Sequence, residues 1–223
     1  MGATDTRARR KPEAFRFVLR SATSPEHQAL DAHPAFARLV DGSLTAGGYR
    51  RLMAQFHGFY SAHDPMLELA CRRHSVNRLG FAYAPRSAIL GRDLAALGCI
   101  APQAALASPA PLSDLASAGT LGGVLYVLEG SMLGGGVLSR AVESLLSRTG
   151  MSGGGYWLWC RDLGAARWAM TCAMIEALSA SEAARSDMIS GAQNAFATFA
   201  GWLADWQDDA PGGADGLRDM ERC

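Results

Sequence analysis

From Phe15 to about residue 206, apolar residues recur every three or four positions, and alternating strand patterns are nearly absent. That period restricts the chain to packed helices. Phe15, Val18 and Leu19 make a short stripe. Ser24 and Pro25 read as an N-cap and first helical position, so a second helix starts there or one helix runs through with a bend. Leu52, Phe56 and Phe59 recur within 45–73, where Pro65 marks a bend or break. Ile89, Leu90, Leu94 and Leu97 share one side of 85–98. Segments 119–148, 162–180 and 184–206 read as the remaining helices, with 100–118 as a connection and "GMSGGGYW" (150–157) as a flexible loop. The expected architecture is all-α: one domain over 13–208, a basic tail over 1–12 and a flexible tail over 209–223.

Charge excludes some functions. Lys+Arg and Asp+Glu both number 21, so no nucleic-acid partner and no membrane surface is expected. The basic N-terminus lacks the apolar core of a signal peptide, and no run was read as long enough to span a bilayer, so the expected location is cytoplasmic. The five cysteines are widely spaced with no CxxC pair, which argues against a zinc site or a disulfide framework.

"LYVLEGSMLGGGVLSR" (125–140) is anomalous within this pattern. Each glycine inside a helix costs roughly 1 kcal/mol relative to alanine, and Gly130, Gly134, Gly135 and Gly136 fall within seven positions. Either another helix packs very close, or the helix bends and a flat ligand lies against it. Tyr126, Gly130 and Gly134 fall on one i, i+4 row; Ser131 and Gly135 fall on the next. The five histidines include no ExxH pair of a di-iron bundle, and there is no HExxH, nucleophile elbow or phosphate loop. A lone histidine and a glycine-lined helix suit heme, a flat disc that takes an imidazole on one axial face.

"YVLEGSMLGGGVL" resembles the distal-helix motif of bacterial heme oxygenases, close to YxxEGSxLGG. "LRSATSPEHQALD" (19–31) resembles that family's proximal segment, and "RSAILGRDLAALG" its middle helix. The likeness spans roughly 13–206 and is nearest to the biliverdin-supplying enzymes paired with bacteriophytochromes. Gly136 departs from the glutamine or alanine of many relatives.

The resemblance implies a single-domain fold with heme held between a proximal helix and a kinked distal helix. It implies His27 as the iron ligand; His33 is the competing histidine and matches no family position. Arg20 would pair with a heme propionate, about 10 Å from His27 on the same face if the helix is continuous. Tyr126 would bond a propionate, and Gly130, Ser131, Gly134 and Gly135 would form the distal wall. Phe196 and Phe199 would close the pocket or serve the core. The implied reaction is opening of heme b, both substrate and cofactor, to biliverdin, ferrous iron and carbon monoxide. Electrons would come from a ferredoxin, a flavodoxin-like protein or an NAD(P)H reductase, and a bacteriophytochrome would receive the product. The alternatives are a non-catalytic heme carrier or sensor on the same fold, and a heme-free helical relative such as the thiaminase-like group.

Overall fold

A computed structural model describes residues 13–99, 112 and 115–209. The two expected tails and most of the 100–118 connection lie outside the described residues. Eight α-helices are described: α1 (Phe15–Ala22), α2 (Ser24–Asp31), α3 (Pro34–Asp41), α4 (Ala46–Arg73), α5 (Ser87–Ala96), α6 (Ala118–Thr149), α7 (Gly155–Leu178) and α8 (Glu182–Leu203). A 3-10 turn, Val76–Leu79, follows α4. No strand is found among the described residues.

The bundle is organised around α6, which packs along both α7 and α8. Its contact with α8 needs small residues. A side chain at Gly123 would run into the Met188 carbonyl, and one at Gly191 into the Thr120 carbonyl, so the two backbones touch. α6 is continuous through all four later glycines. It contains an 18-residue window apolar enough to cross a membrane, contrary to the sequence expectation; 61% of that window is buried, as befits a core helix. The core beside it is aromatic: Phe56, Phe59, Phe199 and Trp202 meet edge to face at 5.0–6.1 Å.

Two boundaries differ from expectation, and two alternatives left open by the sequence are settled. α4 is one long helix rather than a broken pair and runs through Pro65. α3 was not anticipated; His33 caps it, with Nδ1 accepting the Ala35 N–H at 3.2 Å, and Gly42 closes it at φ +80°. α7 begins seven residues before its expected start. The Asp93 carboxylate of α5 accepts the Gly155 and Tyr156 N–H groups at 2.9 and 2.7 Å, a cap supplied by a distant helix. α1 and α2 are separate, meeting at Thr23, so Ser24 is the first helical residue rather than the cap.

The histidines give the fold an acid limit. His33 Nδ1 accepts the Ala35 N–H while Nε2 lies 3.2 Å from the Leu203 carbonyl, which fits only the neutral Nε2–H tautomer. Buried His63 pairs Nδ1 with the Phe59 carbonyl at 2.7 Å and accepts the Leu112 N–H at Nε2. Burial lowers the pKa of His33, His57 and His63. With folded values below the unfolded value of about 6.5, the unfolded chain takes up protons first. Stability is therefore complete above about pH 6.5 and falls as pH drops through and below it. Burial moves Asp93 the other way, but in the carboxylate range. Melting temperature is expected to fall between pH 7.5 and 5.5, and His33→Asn, which keeps a cap without titrating, should flatten part of that slope. A flat profile would contradict the assignment.

Candidate active site

Tyr126 of α6 lies beside Thr23, the buried residue between α1 and α2, whose own hydroxyl donates to the Leu19 carbonyl at 2.8 Å. Burial raises the Tyr126 pKa, opposed by the neighbouring Thr23 hydroxyl and by the charge of nearby Arg20. From this junction α2 and α6 lead to the candidate residues. His27 lies one helical turn beyond Thr23; Gly130 and Gly134 lie one and two turns beyond Tyr126.

His27 is exposed, and its surroundings are specific. Nδ1 lies 2.9 Å from Asp31 Oδ2, one turn later on α2. The ring stands edge-on to Phe196 of α8, centroids 5.9 Å apart. An imidazole held through Nδ1 by a carboxylate has its orientation and tautomer set, leaving Nε2 as the lone-pair nitrogen for a metal. His33 has no such freedom, because both ring nitrogens are used by the fold.

The glycines divide between the two readings offered for them. A Cβ at Gly134 would meet nothing within 4 Å. A Cβ at Gly135 would sit 3.1 Å from Cys160 Cβ and Sγ, and one at Gly136 3.2 Å from the Arg161 Cα, both on α7. At Gly130 the neighbour is the Trp168 ring, at 3.3 Å. Gly135, expected in the distal wall, therefore directs its missing side chain into a helix contact, as Gly136 does. Bare backbone facing open space is confined to Gly134, flanked by the exposed side chains of Leu133 and Val137. This separation is measurable. Gly134→Ala should leave apoprotein stability level or raise it by up to about 1 kcal/mol. Gly135→Ala, overpacking against Cys160, should lower it by roughly 1–3 kcal/mol. Equal melting temperatures for the two variants would refute the distinction.

Other expected residues are placed differently. Ser131 is exposed, and its hydroxyl donates to the Leu128 carbonyl of its own helix at 2.8 Å. Phe199 belongs to the core, 5.2 and 5.0 Å from Phe56 and Phe59, whereas Phe196 reaches the His27 ring. Arg20 is exposed at the end of α1, beside Tyr126. With a helix break at Thr23, the 10 Å continuous-helix spacing to His27 does not apply.

Behind Gly130 lies a buried charge cluster that the sequence reading did not single out. Glu129, fully buried, accepts two bonds from Arg167, at 2.7 and 2.8 Å, and pairs with Arg86 Nη2 at 2.9 Å. Burial pushes the Glu129 carboxyl up, but the two guanidiniums outweigh it and hold the group ionised. Arg86 is enclosed by the rings of Tyr60, Tyr83 and Trp159 at 5.1–5.6 Å. Asp64 accepts the Arg86 and Ser87 N–H groups at 2.9 and 2.8 Å and the Tyr83 hydroxyl at 2.6 Å. The cluster ties α4, α5, α6 and α7 together immediately beside the glycine row.

Orientable imidazole on one helix and uncovered backbone on another suit a flat, iron-bearing ligand held in a helical protein. Comparison with known proteins gives that class its family. A model of the Heme oxygenase family matches residues 13–205. The chain is also 31% identical over 166 residues to a heme oxygenase of Xanthomonas campestris pv. campestris (strain 8004), covering 74% of this chain and 94% of that protein. The chain belongs to the heme oxygenase family. It is an enzyme that degrades heme, and its all-α fold is the one expected from the sequence.

Proposed function

We propose that heme binds through His27 Nε2 with its opposite face toward the Gly134 segment of α6, and that the macrocycle is opened there to biliverdin, ferrous iron and carbon monoxide. The observation that carries this reading is the His27–Asp31 contact, which leaves Nε2 as the ligating nitrogen on an exposed ring. The residues fit the group: Phe196 lies against the imidazole, and a Cβ at Gly134 would meet nothing within 4 Å, so the backbone there is open to a flat ligand. When bound, heme supplies the redox chemistry of its iron; the protein supplies orientation and exclusion.

Arg20 is the cation for a propionate. Tyr126, beside Arg20, supplies its hydroxyl to a propionate. Ser131 and Gly130 border the same face, and Gly130 is partly covered by Trp168. Electrons come from an external ferredoxin, flavodoxin-like protein or NAD(P)H reductase, since the sequence carries no nucleotide-binding motif of its own. Biliverdin passes to a bacteriophytochrome, and the enzyme works in the cytoplasm.

The test is addition of one equivalent of heme, then ascorbate in air. A Soret band that forms and then decays as a biliverdin band grows supports the proposal. A stable Soret band would indicate a carrier, and no Soret shift a heme-free pocket.

A further inference from the structure

The row that leads from the Tyr126 junction to open Gly134 is covered by one side chain. Trp168 of α7 is half-buried; its ring centroid lies 5.4 Å from that of Tyr126, and its Cζ3 edge sits 3.3 Å from where a Cβ on Gly130 would be. One turn further, at Gly134, nothing lies within 4 Å. The glycine at 130 is thus explained by a tryptophan rather than by a ligand, and the tryptophan ends where the bare backbone begins. Thr23 lies beside Tyr126, so Thr23, Tyr126, Trp168 and Gly130 form one continuous corner between α1–α2 and α6. Arg20 reaches the same corner.

We propose that Trp168 is a specificity-determining residue: its ring is the end stop that sets how far the porphyrin slides along α6, and hence which edge of the ring lies under the distal wall. The inference rests on the proposed heme position. A flat disc anchored at one central atom can still turn about that bond, and a single axial ligand does not select an edge. Selection requires a lateral contact that is rigid on the scale of a ring edge. A tryptophan packed between a tyrosine ring and helix backbone is such a contact, whereas the flexible Arg20 side chain alone is not.

The test uses the full chain saturated with heme and cyanide, read by proton NMR of the low-spin ferric complex, which resolves each ring seating as a separate set of heme methyl resonances. Wild type is expected to show one dominant set. Trp168→Ala is expected to show a second set at about a tenth of the intensity or more, the scale of losing one aromatic contact, with biliverdin isomers mixed in similar proportion. Trp168→Leu keeps apolar packing without the length of the ring. It is expected to show the same second set and guards against a folding failure of the alanine variant. Leu163→Ala, exposed on the same helix, should leave the wild-type pattern. One unchanged set and one unchanged isomer in both Trp168 variants, with heme bound normally, would overturn the end-stop role alone. Failure of wild type to bind heme would overturn the heme position on which it rests.

Discussion

Replacing His27 by alanine is expected to abolish the histidine-ligated ferric spectrum and biliverdin formation while leaving the apoprotein melting temperature almost unchanged. The side chain is 64% exposed, and its polar contact among the described residues is one turn away at Asp31, so its stability contribution is within about 0.5 kcal/mol. His33→Ala should do the reverse. It removes a cap and a part-buried hydrogen bond, costing about 0.5–2 kcal/mol, and leaves the heme spectrum intact. Asp31→Ala should fall between wild type and His27→Ala, with heme affinity or turnover lowered about 10–100-fold, because the ring loses the partner that fixes its orientation. A normal ligand signature in His27→Ala, or its loss in His33→Ala, would exchange the roles assigned to the two histidines.

Glu129→Ala is expected to have the largest effect on stability. It leaves two buried guanidiniums facing each other with no counter-charge on α6. Removing one partner of such a cluster costs about 3–5 kcal/mol, which for a chain of this size is roughly 6–20 °C in melting temperature. The apolar triple variant Arg86→Met, Glu129→Leu, Arg167→Met should recover much of the loss, since the fault is an unpaired buried charge rather than missing volume. A drop below about 1 kcal/mol in Glu129→Ala would mean that the cluster is solvated. The position matters for function because Glu129 immediately precedes Gly130. The clamp sets where the α6 backbone stands relative to α7, and so where the Gly134 face lies.

The legible and illegible parts of this protein differ physically. Helical period alone announces α4, α6 and α8, because each carries an apolar stripe several turns long. His27 and Gly134, the centre of the proposed site, are singled out by the motifs around them, and Asp31 joins them by its i, i+4 spacing from His27. What the sequence hides is decided between segments distant in the chain. The start of α7 is fixed by Asp93, more than sixty positions earlier. Gly135 looks equivalent to Gly134 until Cys160 is seen beside it. Phe196 and Phe199 are both core residues, but only Phe196 is placed against the His27 ring while Phe199 meets Phe56 and Phe59. Nothing in the sequence around Arg86 and Arg167 marks them as buried; their convergence on Glu129 reveals the cluster. The one sequence signal for that cluster was an unpaired glutamate within an apolar helix, which in a folded core demands a cationic partner.

In the proposed complex iron sits on His27 Nε2 and the macrocycle lies along the Gly134 face of α6. The most direct test is an anomalous difference map, recorded at the iron absorption edge, from crystals of the heme complex. The account predicts one iron peak per chain within coordination distance of His27 Nε2, with the porphyrin plane against the Gly134 backbone and its edge stopped at Trp168. An iron peak at another histidine, or in the groove of about 390 Å³ that Leu39, Val40, Val137 and Ala141 line between α3 and α6, would contradict it.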